Sequence, residues 1–132
     1  MSAIFMVNTG VSSVSAGSNI PCSVARRTGC AVIGSDGMVM LRKPGYYKVS
    51  ATVTCTASDE GDVTIVMKKN GVDIPGITAT ETYTEATTST KTLHLEGIVK
   101  VLCYEGAPVL TLVNASDGID ITTSNVAFTV ID

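Results

Sequence analysis

The sequence predicts an all-β chain folded as an antiparallel β-sandwich, and three observations support this class. Turn residues recur roughly every ten positions, for example at 34–37, 58–61 and 117–118, between short apolar runs. No stretch keeps the three-and-four apolar spacing of a helix for more than one turn. Threonine and valine, which suit the pleated surface of a sheet, are abundant. At 132 residues the chain fits one domain.

The apolar runs between these turns give the strand candidates. In chain order they are 4–8, 23–33 in two short pieces, 38–42, 46–56, 63–69, 72–77, 91–104, 109–114 and 125–131. Residues 1–12 are expected to form a short N-terminal arm or first strand, and residues 13–132 the sandwich domain. The threonine-rich segment 78–90, whose one large apolar residue is Tyr83, is predicted to be a long loop or an exposed edge rather than a core strand.

Two dipeptides predict how particular strands begin and turn. Asn70-Gly71 predicts a two-residue hairpin, because both of its residues tolerate the positive φ that such a turn requires. Pro44 restricts its own φ and Gly45 permits a sharp turn, so this pair is expected to fix the register of the strand that follows. Alternation then separates an apolar face from a polar one. The predicted core comprises Tyr47, Val49, Val53, Ile65, Met67, Val101 and Phe128.

The composition of the chain limits the classes of partner that can be expected. The formal net charge is −3 and charged residues make up 16% of the chain, so the basic surface that nucleic acid requires is not expected. The high apolar content of 45% favours oligomerisation, since a monomer would expose apolar surface. No segment has the length of a membrane span, and the first residues lack the features of a secretory signal. We therefore expect maturation in the cytoplasm and no membrane partner.

Four cysteines are present: Cys22, Cys30, Cys55 and Cys103. They lack CxxC spacing, and free cysteine is among the most buried residue types, so reduced core thiols are predicted. A disulfide and a metal site remain as alternatives.

The run PGYYKV at 44–49 resembles the Pro-Gly-x-Tyr-x-aromatic signature of the tumour necrosis factor and complement globular-head superfamily, with Val49 in place of the final aromatic. Similar stretches follow at 37–41, at 63–71 ending in Asn70-Gly71, at 93–103 with 109–113, and at the final strand with Phe128. The resemblance covers roughly residues 13–132.

This resemblance implies a jelly roll of two antiparallel sheets that assembles as a threefold homotrimer. It also implies recognition or structural roles without catalysis. Small members without a collagen stalk look like structural proteins of tailed bacteriophages. The expectation is therefore a virion protein that is assembled in the host cytoplasm.

Few residues offer catalytic or metal chemistry. His94 is the single histidine, and alternation directs it with Glu96 to the surface or to an interface. Cys103 lies roughly 30 Å from it along an extended strand, so the two cannot form a nucleophile-base pair there. The acidic groups at 59–62 and 117–120 could offer oxygen ligands to calcium, but solvated turns are favoured. We predict no catalytic residues, no cofactor and no metal site.

The predicted function is a non-enzymatic bacteriophage capsid decoration protein or head-fibre trimer whose partners are capsid or other virion proteins. The alternative is a receptor-binding tip of a tail or fibre, with a host-surface receptor as partner and 78–90 as a presented loop. A small-ligand hydrolase is a third class, disfavoured because it would need convergent polar groups. The predicted capsid-docking residues are Ser2, Ile4, Phe5, Arg26 and Arg27, where arginine can pair bidentately with acidic groups. The predicted trimer-interface residues are Val66, Ile98 and Leu102.

Overall fold

A computed structural model describes residues 1–85 and 89–132, and within these ranges the chain forms eleven β-strands and no helix. Nothing in the described ranges could therefore cross a membrane as an apolar helix. The strands are β1 (Ala3–Asn8), β2 (Ser12–Val14), β3 (Ser23–Thr28), β4 (Val32–Ser35), β5 (Met38–Leu41), β6 (Gly45–Ala57), β7 (Gly61–Lys69), β8 (Val72–Tyr83), β9 (Lys91–Val101), β10 (Val109–Asn114) and β11 (Ile121–Ile131).

The described strands form two antiparallel sheets that pack face to face. One sheet has the order β3-β1-β11-β6-β9, with β2 pairing beside β11 as its sixth strand. The other has the order β4-β5-β10-β7-β8. The inner faces of both sheets share one apolar cluster, which includes every predicted core residue. The all-β antiparallel sandwich and its predicted core are thus confirmed.

The corner before β6 fixes the position of that strand. Gly45 has φ 140°, a backbone conformation that residues other than glycine rarely adopt. Two residues later, the Tyr47 hydroxyl donates a 2.6 Å hydrogen bond to the carbonyl oxygen of Lys43. From Tyr47 onward, buried residues alternate strictly with half-buried or exposed ones to the end of β6. The bond therefore ties the first buried side chain of β6 to the chain that precedes the corner.

The Asn70-Gly71 hairpin between β7 and β8 is confirmed. Asn70 has φ 52° and Gly71 has φ 80°, as a two-residue turn of this kind requires. The Asn70 side-chain oxygen also accepts a 2.9 Å hydrogen bond from the backbone N–H of Val109, which connects the turn to β10.

The segment 78–90 differs from its predicted loop. β8 continues to Tyr83, whose side chain is 1% exposed and belongs to the core. The prediction failed because the segment is rich in polar threonines. Tyr83 is its one large apolar residue, which is too few to show the alternation of a strand. The predicted edge is present, since β8 is the outermost strand of its sheet. Residues 86–88 of this segment lie outside the described residues.

Several strand ends also differ from prediction. β9 ends at Val101, before the predicted residue 104, because a turn follows in which the Glu105 N–H donates to the Leu102 carbonyl. β11 begins at Ile121, earlier than the predicted 125, and carries a bulge between Thr123 and Asn125. The short strand β2 was not predicted.

The prediction of four buried thiols is half wrong. All four cysteines are free, and Cys22 and Cys55 are buried. Cys30 and Cys103 are exposed, because each lies in a turn that follows a strand rather than on an inward-facing position.

Candidate interaction surface

The outer face of the six-stranded sheet, which we call the open face, is a candidate interaction surface. Its residues alternate with core residues along β1, β11, β6 and β9, and they are half-buried or exposed. The central members are Ala3, Phe5 and Val7 of β1, Ala127, Thr129 and Ile131 of β11, Lys48, Ser50 and Thr52 of β6, and His94, Glu96 and Ile98 of β9.

Register arranges these residues in three parallel rows across the sheet. Directly opposed residues of antiparallel strands lie side by side on one face. The rows are Ala3-Ile131-Lys48-Ile98, Phe5-Thr129-Ser50-Glu96 and Val7-Ala127-Thr52-His94. Small side chains occupy most of the middle positions, so the centre of the open face offers little obstruction to another protein surface.

At the β3 end, the open face borders an apolar groove. Arg26 lies opposite Phe5 and thereby extends the Phe5 row onto β3, whereas Arg27 lies opposite the buried Ile4. Because successive strand residues point to opposite faces, the two guanidinium groups leave β3 on opposite sides. The residues that line the groove are Ala3, Ile4, Phe5, Arg26, Arg27, Thr28, Thr129 and Ile131, so both arginines border it.

At the β9 end, the open face carries protruding and charged side chains. Ile98 is a large apolar residue with 68% of its surface exposed. Glu96, two residues before it on the same face, has a side chain that is 67% exposed. The two ends of the open face therefore differ: one is a groove beside a cation and the other a projecting apolar side chain beside an anion.

His94 lies between the Thr52 hydroxyl and the Glu96 carboxylate, an arrangement that resembles a catalytic triad in its types of group. Its Nδ1 lies 3.2 Å from the Thr52 hydroxyl and its Nε2 lies 3.7 Å from Glu96 Oε2. The carboxylate distance exceeds a hydrogen bond. Moreover, β6 pairs with β11 on one side and β9 on the other, so its backbone N–H groups are used by the sheet and form no oxyanion site at Thr52. The His94 ring therefore contacts the Thr52 hydroxyl without a hydrogen-bonded carboxylate behind it.

The three predicted interface residues do not share one surface. Ile98 lies on the open face, and Leu102 is half-buried just after β9. Val66 lies on the outer face of the other sheet and is only 8% exposed, since it stands beside the buried Val113. Val66 therefore has little surface left to bury in an interface, which corrects that prediction.

Two of the predicted docking residues are also inaccessible. Ile4 is 1% exposed in the core. Ser2 is 6% exposed, and its hydroxyl oxygen accepts a 3.1 Å hydrogen bond from the Ala31 N–H. Ile4 is covered because it faces the core between the two sheets, and Ser2 is covered because it packs against Gly29 and Ala31. Phe5, Arg26 and Arg27 remain accessible.

The acidic turns are used to hold the backbone and neighbouring side chains. Asp59 Oδ1 accepts from the Glu60 N–H at 2.8 Å, Asp62 Oδ1 accepts from the Thr82 hydroxyl at 2.7 Å, and Asp120 Oδ1 accepts from the Ala16 N–H at 3.0 Å. Within residues 1–85 and 89–132, no three metal-ligating side chains come together.

The buried thiols are kept protonated. Burial, with a smaller effect of Asp36, raises the pKa of Cys22 to about 11. Burial also raises the pKa of Cys55. Because the thiolate is the nucleophilic form, neither cysteine is activated for chemistry at neutral pH.

Comparison with known proteins identifies the fold. No family model matches the sequence, and no curated protein matches it either. Among solved structures, the chain is similar to Eiger TNF from S. frugiperda, with a TM-score of 0.73, 14% identity, and coverage of 100% of this chain and 91% of that chain. It is similar to the globular domain of zebrafish complement 1qA, with a TM-score of 0.71, 9% identity, and coverage of 99% and 96%.

A third similar structure is the PRD1 vertex protein P5, with a TM-score of 0.61, 16% identity, and coverage of 100% of this chain and 73% of that chain. At these identities the likeness is one of fold. The chain is an all-β jelly roll of the tumour necrosis factor-like type.

Proposed function

We propose that this chain is a non-enzymatic structural protein of a bacteriophage virion, which assembles as a homotrimer and serves as a capsid decoration or head-fibre protein. The observation that carries the proposal is the open face, which spans four neighbouring strands with mainly small side chains in its centre. The fold likeness to a phage vertex protein over the whole of this chain supports the virion setting.

The homotrimer accounts for the open face. A stable protein interface buries more than about 1,000 Å² of surface in total, and a sheet face of this breadth is a suitable source. The resemblance of the 44–49 corner to trimeric jelly rolls favours threefold symmetry. A trimer of this kind covers Phe5, Ile131 and Ile98, which a monomer leaves half-buried or exposed.

Attachment to the shell requires residues outside the trimer contact. Arg27 is exposed and pairs with Ile4 rather than with a residue of the open face, so we assign it to docking on an acidic capsid surface. Phe5 and Arg26, by contrast, border the open face and belong to the trimer contact. A trimer presents three copies of Arg27, so weak single contacts combine into firm attachment.

The test is the composition of the particle. Virions of the phage that encodes the chain are purified, their proteins are identified by mass spectrometry, and a labelled antibody locates the copies. The proposal predicts the chain on the head in multiples of three, and its absence from the particle contradicts a virion role. Copies at the distal tail, together with free protein that blocks infection, would instead support the receptor-binding alternative.

A further inference from the structure

We infer that one end of the sandwich, which we call the corner end, binds an acidic protein surface through exposed cations and tyrosines. The corner end comprises the turns at 42–44, 70–71 and 102–108. This inference rests on the docking role proposed above, and it names the surface that docks and the chemistry of its partner. The side chains that carry it are Arg42, Lys43, Tyr46, Lys100 and Tyr104.

The two ends of the sandwich differ in charge, although the net charge of the chain is only −3. The opposite end, which we call the far end, comprises the turns at 36–37, 58–60 and 115–120 and the strand residues beside them. Among the described residues of the far end, Lys91 is the one lysine or arginine. The acidic residues there are Asp36, Asp59, Glu60, Asp62, Glu81, Glu85, Asp117 and Asp120.

Strand register brings the cluster at the corner end together. Gly45 pairs with Val101, so the turn before β6 and the turn after β9 leave the sheet side by side. In the next row, Tyr46 pairs with Lys100, and the Lys100 Nζ lies 5.6 Å from the centre of the Tyr46 ring. Tyr104 lies in the turn after β9. The cluster therefore occupies two adjoining turns and the strand row beside them.

The cations of the cluster are available to a partner. Arg42, Lys43 and Lys100 are exposed, and within residues 1–85 and 89–132 none of them forms an ion pair. The Arg42 N–H donates a 2.7 Å hydrogen bond to the Ala31 carbonyl, and the Lys43 carbonyl accepts the Tyr47 hydroxyl bond. The backbone beneath two of the cations is thus already held in place, which lowers the ordering cost of binding.

The acidic side chains of the corner end do not cancel this charge. Asp73 lies 3.6 Å from the Nζ of Lys68, and Glu105 lies 2.8 Å from the Nζ of Lys69, so both acids already have a cationic partner. Asp132 is the other acid at this end, and it is exposed. The unpaired cations therefore outnumber the unpaired acid, and the corner end is positive on a chain that is negative as a whole.

The tyrosines of the cluster indicate a protein partner. Tyr46 is 64% exposed and Tyr104 is 81% exposed. Tyrosine and arginine are enriched at protein interfaces, where surfaces of opposite potential meet. Arg42 also offers the planar group that can hold a carboxylate through two parallel hydrogen bonds. Exposed tyrosine rings among unpaired cations therefore suit an acidic protein surface.

Binding to immobilised poly-L-glutamate, which presents carboxylates on a polypeptide, tests this surface. The wild-type chain is expected to bind at low salt and to dissociate as the salt concentration rises, because exposed charges are screened. Lys43→Gln combined with Lys100→Gln is expected to weaken binding at least about tenfold, since it removes two of the unpaired cations. Surface plasmon resonance measures binding, and circular dichroism checks that each variant is folded.

A matched control carries the same change of net charge at the far end. Thr84→Glu combined with Thr90→Glu alters two exposed threonines there and is expected to weaken binding far less. Equal losses in the two double variants would overturn the inference, because net charge rather than the corner end would then govern binding. Wild-type protein that fails to bind poly-L-glutamate also overturns it, and binding to heparin in that case would indicate a sulfated glycan instead.

Particle composition separates this inference from the proposed function. Virions that take up the double variant of Lys43 and Lys100 at the wild-type level would overturn the corner end as the docking surface and leave the virion role intact. A wild-type chain that is absent from virions contradicts the virion role, whereas the poly-L-glutamate measurement still decides whether the corner end binds carboxylates.

Discussion

Tyr83 and Cys55 are joined by a buried hydrogen bond that crosses the sandwich. The Tyr83 hydroxyl donates to the Cys55 carbonyl oxygen at 2.6 Å, and the Tyr83 hydroxyl oxygen also lies 3.4 Å from Cys55 Sγ. Tyr83 ends β8 at the edge of one sheet, whereas Cys55 lies on β6 within the other. Burial raises the pKa of Tyr83, and the contact with the Cys55 thiol adds a smaller upward effect. The hydroxyl of Tyr83 thus anchors the end of the edge strand β8 to β6 inside the core.

Tyr83→Phe is expected to lower the free energy of unfolding by about 1 kcal/mol, the usual net value of one hydrogen bond. The ring stays in place, so little packing is lost. Urea unfolding followed by circular dichroism measures the change. Tyr104→Phe is the control, since Tyr104 is 81% exposed, and it should leave stability unchanged. Equal effects of the two substitutions would show that the buried bond does not stabilise the fold.

Tyr83 also illustrates how far the sequence predicts the structure. Alternation located the strands that carry several apolar residues, such as 46–56 and 109–114, because each inward position adds to the signal. β8 beyond Ile77 and the short strand β2 have few inward apolar residues, so partner strands rather than local pattern determine them.

The candidate surface was predicted only in part. Alternation placed Ile98 and His94 on an outer face correctly. It could not tell which sheet an outward residue belongs to, so Val66 was grouped with Ile98 although they lie on different sheets. Ile4 and Phe5 were grouped as docking residues although they point to opposite faces of β1, which buries Ile4 and leaves Phe5 on the open face.

Gly71→Ala is expected to destabilise the protein by about 1–2 kcal/mol, because φ 80° places alanine in the left-handed region. No atom lies within 4 Å of the Cβ that the substitution adds, so the cost is conformational rather than steric. Gly106→Ala is the matched control: it too meets no atom within 4 Å, and its φ is not positive. Thermal unfolding of both variants measures the difference. If Gly106→Ala destabilised as much as Gly71→Ala, the turn conformation would not be the cause.

Thiol labelling is expected to distinguish the cysteines. In the native protein, Cys30 and Cys103 should react rapidly with a thiol reagent, whereas buried Cys22 and Cys55 should react only on unfolding. Peptide mass spectrometry after short exposure identifies the modified residues. Cys30→Ser and Cys103→Ser should each remove one fast-reacting thiol. Rapid modification of Cys55 in folded protein would contradict the packing around Tyr83.

Glu105 is expected to make stability depend on pH. A hydrogen bond from Lys69, with a 2.8 Å ion pair, and a second hydrogen bond from the Leu102 N–H lower the pKa of its carboxyl group. A lowered pKa in the folded state gives stability above the ordinary glutamate pKa, and that stability is lost as the pH falls through the folded-state value. Glu105→Gln should therefore be less stable than wild type at pH 7, and the difference should shrink as the pH falls below the ordinary glutamate value. A difference that is constant with pH would contradict this linkage. Urea unfolding at a series of pH values measures it.

Sedimentation equilibrium of the wild-type chain at micromolar concentration tests the central claim most directly, because every proposed role depends on self-association through the open face. We expect a single species with three times the 13.6 kDa mass of the chain. We further expect that Phe5→Asp, which places a charge beside the groove, reduces this mass towards that of the monomer while the fold is retained. A wild-type chain that sediments at 13.6 kDa across the concentration range would contradict the account.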